Sequence, residues 1–472
     1  MRMIALLLLA TMARPVMAAD RPPNVIMFYA DDLGNGDVGC YGAADIKTPS
    51  IDALAASGVR FTNYYAPAPI CAPSRAALLT GRYPLRCGMS STKNVPSELD
   101  TPGMPGREIT FAEIAKTRGY ATAVFGKWHL GSTSDTVPNA QGFDLFVGHH
   151  TSCLDSFSHM YYASEPWYHD LYRNRQEIFI DGEHLCDIVT RETLQFIDGH
   201  RDSPFLIYVA YNQPHYPMVA KAKFIEMYKN LPRLRQFQAA LVTMMDDSIG
   251  QIMGRLKERD LIGNTLVFFA SDNGAPNQSK RGEGGGRNTP YREYKRSLFD
   301  GGDHVPAIAS WSGTLPAGHA LDQLTIGMDV FSTILDVIGA EPPKDRVIDG
   351  MSWMPLLKDP GKSGHKELFF EWDNQHAVRQ GPWKLVCNGL INMDMGRQNR
   401  ATTGNADYMF LSDTVKDPGE RTNLYAQNKE LADKLLKMHG QWRESITKDP
   451  TASPSSDSDE NRGSDSQKDG HE

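Results

Sequence analysis

Four unbroken apolar runs, each ending in polar residues, organise the chain. Val25-Ile26-Met27-Phe28-Tyr29-Ala30 leads into Asp31-Asp32-Leu33-Gly34, and Ala121-Thr122-Ala123-Val124-Phe125 leads into Gly126-Lys127-Trp128-His129. Phe205 to Tyr211 leads into Asn212-Gln213-Pro214-His215, and Leu266 to Ser271 into Asp272-Asn273-Gly274. Continuous hydrophobicity, rather than alternation, marks strands covered on both faces, as in an α/β fold whose large, mostly parallel sheet is sandwiched by helices. In such a sheet ligands lie outside the carboxyl ends of the strands, so the four polar ends are expected to converge on one crevice. Helical periodicity supplies the covering layers. Between about Arg235 and Leu261, Phe237, Leu241, Met244, Met245, Ile249, Ile252, Met253 and Leu256 recur at three- and four-residue steps. The carboxylate pair Asp246-Asp247 is assigned to the solvated face of this helix.

A shorter helix is written into Cys71-Ala72-Pro73-Ser74-Arg75-Ala76-Ala77-Leu78-Leu79-Thr80-Gly81-Arg82. Pro73 fits the first turn, Ala and Leu propagate it, and Gly81 suits a left-handed exit. Cys71 then stands at the helix mouth, where unpaired N–H groups and the helix dipole favour bound anions and anionic side-chain forms. Arg75 follows one turn later and adds a fixed cation, so the pair reads as an anion trap.

After about residue 345 the pattern changes to short runs, Glu367 to Trp372, Ala377 to Arg379 and Trp383 to Val386, separated by turn signals. These predict a smaller antiparallel sheet, with a helix over 428–446 packed on it through Leu431, Leu435, Leu436 and Met438. The expected organisation is a large α/β unit over 20–345 and a smaller α+β unit over 346–450. Residues 451–472 hold six acids, six serines and no large hydrophobe, and are expected to form a disordered acidic tail. The first 19 residues, with Arg2, the apolar run Met3 to Ala10 and the small-residue end Val16-Met17-Ala18-Ala19, read as an export signal. No cysteine stands near that end to carry a lipid, and no segment has the length needed to span a bilayer. The expected location is periplasmic or secreted.

The formal net charge of -8 argues against nucleic acid as a partner. Six cysteines, at 40, 71, 87, 153, 186 and 387, are too few for a disulfide scaffold in 472 residues; a bridge between Cys153 and Cys186 is the one pairing entertained. The stretch His149 to Tyr172 is crowded with His149, His150, His159, Tyr161, Tyr162, Trp167, Tyr168 and His169. It reads either as a stacking platform for a sugar ring at the pocket border or as an insertion packed on itself.

The chemistry-bearing residues fall into sets. Asp31, Asp32, Asp272 and Asn273 offer oxygen ligands, which suit a hard divalent cation; each pair taken singly is equally able to cap a following helix. Lys127 and His129 are two apart on a segment leaving a strand and therefore face one side. His215 lies just beyond a strand end, and Lys295 precedes Asp300-Gly301-Gly302.

The string from Cys71 to Arg82 resembles the signature of the type I, formylglycine-dependent sulfatases of the alkaline phosphatase superfamily. Gly126-Lys127-Trp128-His129-Leu130-Gly131 resembles that family's second signature. The resemblance implies that a formylglycine-generating enzyme oxidises Cys71 to an aldehyde whose hydrate attacks sulfur, and that Ca2+ is held by Asp31, Asp32, Asp272, Asn273 and residue 71. It implies further that Arg75, Lys127 and His215 grip the sulfate, that His129 takes a proton from the diol, and that His215 or Lys295 protonates the leaving alcohol. Relatives commonly carry arginine where His304 stands and a second glycine where Ala275 stands.

The expected activity is hydrolysis of an organic sulfate ester, on a sulfated saccharide. Two alternatives are a phosphomonoester or phosphodiester hydrolase of the same superfamily and a non-catalytic carbohydrate-binding protein with an unmodified Cys71. The cluster of candidate acids and bases beside a nucleophile argues against the latter.

Overall fold

A computed structural model describes residues 21–92, 95–96, 98–163, 165–277, 284–358, 362–389 and 409–452. The segment read as an export signal and nearly all of the acidic tail lie outside them.

The four apolar runs become the centre of a ten-stranded sheet, and they are contiguous there. Thr265–Ser271, Asn24–Asp31, Phe205–Pro214 and Ala121–Lys127 lie side by side in that order, every pair parallel. Leu145–His149 extends the parallel set beyond Ala121–Lys127. On one flank Ala307–Ser310 runs antiparallel to Thr265–Ser271, Val59–Phe61 antiparallel to Ala307–Ser310, and His319–Leu321 forms the edge, parallel to Val59–Phe61; on the other, Tyr172–Arg173 and Gln176–Glu177 add antiparallel strands. Every residue of Asn24–Asp31 is buried, as continuous hydrophobicity requires.

The alternation of the strand divides its side chains between two cores. Val25, Met27 and Tyr29 join Leu206, Tyr208 and Ala210 on one face, covered by the helices Cys71–Thr80, Phe111–Thr117 and Asp329–Ile338. Ile26, Phe28 and Ala30 join Ile207, Val209 and Tyr211 on the other, covered by Pro49–Ser57, Leu185–Gly199 and Arg233–Glu258.

The smaller unit is a four-stranded antiparallel sheet. It contains the expected strands, Glu367–Trp372, Gln375–Gln380 and Trp383–Cys387, and a further one, Met409–Asp413. The helix Lys429–Thr447 packs on it through Ala432, Leu435, Trp442 and Ile446, while Leu431, Leu436 and Met438 are only partly buried. The two units share a buried ionic joint. Lys384 donates to Asp300 at 2.7 Å and to Asp303 at 3.1 Å, and Glu420 accepts the Asp300 N–H at 2.7 Å. Among the described residues no helix is long and apolar enough to cross a membrane.

Two expectations are corrected. Cys153 and Cys186 are free thiols, as are the other four cysteines. Cys186 points from its helix toward the backbone of Met244, 3.9 Å from that carbonyl, whereas Cys153 follows the end of Leu145–His149 beside Ser152. Asp246 is buried, not solvated, and accepts the N–H groups of Ser50 at 3.1 Å and Ile51 at 2.8 Å. It thus caps the first turn of Pro49–Ser57, whose own N-cap, Thr48, makes no capping bond to it. Its neighbour Asp247 is exposed. Asp246→Ala should therefore cost about 1–2 kcal/mol, and Asp247→Ala less than about 0.5 kcal/mol, as read by chemical denaturation.

Candidate active site

Because adjacent strands are only a few ångströms apart, the four polar ends form one continuous floor. Asp31 ends its strand, and Asp32 turns away from it with φ of 68°. Asp272 and Asn273 leave the neighbouring strand at the same level, with the N–H of Asp32 donating to Asp272 Oδ1 at 3.1 Å. Facing them, the helix Cys71–Thr80 begins at Cys71 and exits through Gly81 with φ of 71°. On the far side Trp128 is fully buried, donating its indole N–H to Thr136, which leaves Lys127 and His129 directed toward the floor. Lys295 arrives on a loop that packs against the Asp272 strand end. A Cβ on Gly274 would lie 1.9 Å from the carbonyl oxygen of Gly301, so only glycine permits this approach.

All ten residues singled out in the sequence are brought together. Cys71 Sγ lies 3.3 Å from Asp31 Oδ1 and 3.9 Å from Asp32 Oδ1, and accepts from Lys295 Nζ at 3.2 Å. Arg75 donates Nη2 and Nε to Asp272 at 2.7 and 3.1 Å, and reaches Asp31 at 3.6 Å. Lys127 pairs with Asp31 at 2.7 Å and Lys295 with Asp32 at 2.7 Å. Asn273 donates to Asp32 at 2.7 Å. His215 Nε2 lies 3.7 Å from Asp32 Oδ2, while its Nδ1 donates to the carbonyl of Tyr216 at 2.7 Å, which keeps the Nε2 lone pair on the site.

Three carboxylates therefore face three fixed cations in a largely buried region. Burial, and then Asp31 alongside, raise the Asp272 carboxyl to about 6. Burial acts against Asp32 as well, but Lys295, His215 and Lys127 outweigh it and hold that carboxyl below its ordinary range. Burial followed by the neighbouring Asp272 pushes the Cys71 thiol well above its usual value. The helix-mouth expectation of an anionic thiol is thus reversed: the carboxylates and desolvation outweigh the helix dipole. Burial and the nearby Lys127 keep His129 neutral and bring His215 down to about 3. Desolvation opposes the charge on Lys295, yet Asp32 raises it well above the ordinary lysine value, so this amine stays protonated.

Several buried polar atoms here have no hydrogen-bond partner: Asp32 Oδ2, Asn273 Oδ1 and both ring nitrogens of His129. Such groups are costly unless something binds them. The two oxygens, with Asp31 and Asp272 alongside, fit a hard divalent cation. Donor atoms of Asp31, Asp32, Cys71 and His215 also lie within 4.8 Å of one another, so the imidazole joins the ring around the same point.

Above the floor opens a cavity of about 270 Å³. Beyond the predicted Asp32, Cys71, His129, His215 and Lys295, its wall is built from Ile70, Thr92, Val95, Ser152, Tyr216 and Arg296, with Pro276 and Asn277 at the edge. Among the described residues of the aromatic-rich stretch, only Ser152 reaches this wall. Tyr161 stacks on Tyr168 at 4.8 Å, and Trp167 is 64% exposed outside the lining. The stretch is packed largely on itself, and the aromatic face at the pocket belongs to Tyr216. Ser152 and Tyr216 carry no motif that sequence reading would single out, although Tyr216 is next to His215. His149 stands out in the sequence only as part of an aromatic- and histidine-rich stretch. It pairs in register with Lys127 and is fully buried with neither ring nitrogen bonded. His304, the departure from the family's arginine, stacks between Tyr65 at 4.6 Å and Tyr291 at 4.0 Å, outside the floor.

Residues 23–340 match the family model described as sulfatase, and 292–447 match that of the C-terminal part of N-sulphoglucosamine sulphohydrolase. The N-acetylgalactosamine-6-sulfatase of Sus scrofa is 37% identical over 393 residues, covering 80% of this chain and 74% of that protein. Arylsulfatase A of Homo sapiens is 34% identical over 438 residues, covering 86% and 84%. Among solved structures Ps i-CgsB superposes with a TM-score of 0.80 at 29% identity, over 89% of this chain and 93% of that one. With the strand-end floor, the Cys71 helix and this likeness along most of its length, the chain belongs to the sulfatase family and is a sulfuric ester hydrolase.

Proposed function

We propose that the chain removes sulfate from a sulfated carbohydrate, using Cys71 matured to formylglycine and a calcium ion held by Asp31, Asp32, Asp272 and Asn273. The observation that carries this reading is the convergence of unpartnered oxygens of Asp32 and Asn273, and unpartnered nitrogens of His129, around a single buried thiol. Two relatives support the substrate class. One is named for N-acetylgalactosamine 6-sulfate, and Ps i-CgsB has been solved with k-i-k-neocarrahexaose. The reading at residues 1–19 supports an exported enzyme.

The encoded thiol is a poor nucleophile here, because burial and the adjacent carboxylates keep it protonated. Formylglycine would supply, as its hydrate, one hydroxyl to attack sulfur and another whose deprotonation expels sulfate; calcium would orient the attacking group and offset sulfate charge. Charge bookkeeping favours this pairing. Asp31, Asp32 and Asp272 balance Arg75, Lys127 and Lys295, so a divalent cation leaves the floor positive, as a seat for a sulfate ester should be.

The protein's own groups divide the remaining work. Arg75 and Lys127 are locked by Asp272 and Asp31, so their positive charge needs no reorganisation when the anion arrives. His129, buried and neutral, accepts a proton from residue 71. Lys295, which already holds its proton within 3.2 Å of Sγ, is placed to protonate the departing alcohol oxygen. His215 presents the Nε2 lone pair to the same side as a neutral acceptor, facing Asp32 at 3.7 Å.

Turnover should favour nitrophenyl sulfate over nitrophenyl phosphate, and Cys71→Ala should lower it at least about a thousandfold while the melting temperature changes little. A preference for phosphate would return the phosphoester reading, and an unaltered residue-71 peptide mass in fully active enzyme would remove formylglycine. Asp31→Asn should weaken Ca2+ binding by more than about 100-fold, measured by calorimetry on chelator-treated protein. For Lys295→Ala the loss on a sulfated saccharide, whose alcohol leaves poorly, should exceed that on nitrophenyl sulfate by at least about tenfold. Equal losses on the two would remove Lys295 as the proton donor.

A further inference from the structure

The insertion between the Leu145–His149 strand and the Leu185–Gly199 helix holds a second cluster, whose residues do not line the catalytic cavity. Met160–Tyr161 and Tyr168–His169 form a small antiparallel hairpin, with His169 opposite Met160. His159 directly precedes the first strand and its side chain is fully buried. The following turn, which carries Asp181, is tied back to the start of the insertion by Gly182 N–H donating to Phe157 at 2.8 Å.

Each histidine has one ring nitrogen committed and one free. His159 Nε2 donates to the carbonyl of Glu183 at 3.1 Å, and His169 Nδ1 donates to the Glu177 carboxylate at 3.0 Å. Their remaining nitrogens, His159 Nδ1 and His169 Nε2, are buried and have no hydrogen-bond partner. Both lie 3.8 Å from the same oxygen, Asp181 Oδ1, and the three atoms fall within 4.8 Å of one another. The imidazole planes are set at 89°, which lets the two lone pairs converge from different directions. Outer partners that fix the tautomer and turn the free nitrogen inward are the usual support of a metal-ligating histidine.

We propose that His159, His169 and Asp181 form a second metal site, one that takes Zn2+. Two neutral imidazoles and a carboxylate suit a borderline transition ion, whereas calcium prefers a shell of oxygens. A tetrahedral zinc with ligands at 2.0–2.2 Å spaces its donors by roughly 3.4 Å, so the two 3.8 Å separations from Asp181 need to close by only a few tenths of an ångström. Asp181, 64% exposed, is free to make that movement, and water completes the shell. The ion fastens the hairpin to the 178–183 turn and so rigidifies the insertion.

The test is zinc binding to the whole, calcium-saturated protein after chelator treatment, followed by competition with a fluorescent zinc indicator. Wild-type protein should bind one Zn2+ that excess calcium does not displace, and zinc should raise its melting temperature. His169→Gln should weaken that binding at least about 100-fold and abolish the thermal shift, and Glu177→Ala should weaken it about 10–100-fold by releasing the His169 ring. Asp181→Asn, at an exposed position, should reproduce the loss and serves in place of His169→Gln if that variant misfolds. No zinc uptake beyond calcium, displacement of the zinc by calcium, or undiminished binding by both ligand variants would overturn the proposal.

Discussion

The interaction on which this molecule depends is the mutual neutralisation of Asp31, Asp32 and Asp272 by Arg75, Lys127 and Lys295 at the carboxyl edge of the sheet. None of the six would be tolerable alone, because an uncompensated charge in a dry interior costs several kcal/mol. Together they hold one another at hydrogen-bonding distance. The contacts are also uneven. Asp31 and Asp272 spend both oxygens on protein partners, whereas Asp32 keeps one free, and it is there, beside Asn273 and His129, that unsatisfied capacity accumulates. The fold thus concentrates its unmet polar bonding in the place where chemistry is done.

The strands that carry these groups could be read from hydrophobic continuity alone, since Val25 to Ala30 and Leu266 to Ser271 have no polar interruption to place either face in water. Their adjacency in the sheet, and hence the convergence of their ends, followed from the rule for parallel sheets. The reading failed where a residue's environment is supplied by a distant element. Asp246 looked solvated because its helix was considered by itself; its partners, the amides of Ser50 and Ile51, come from a helix nearly two hundred positions away. The protonation of Cys71 failed in the same manner. Local sequence displays the helix dipole but not the carboxylates brought against it from two strands.

The pocket wall shows a related limit. Aromatic enrichment marks His149 to Tyr172, but composition cannot say which way rings face, and Tyr161 and Tyr168 stack on each other within the insertion. Ser152 and Tyr216 line the cavity without any motif because their selection is geometric: each follows the end of a strand whose position only the completed sheet determines.

The Lys384 ammonium, clasped by Asp300 and Asp303, joins the smaller sheet to the turn that sets Lys295 against the floor. The C-terminal unit is therefore structurally inseparable from a member of the reacting cluster, although its own strands begin only at residue 367. The likeness to the C-terminal family begins at 292, ahead of both Lys295 and Asp300. The natural seam for exchanging this module between relatives lies near that point; a chimera joined at the visible end of the large unit, near 345, would sever a lysine from the strut that aims it.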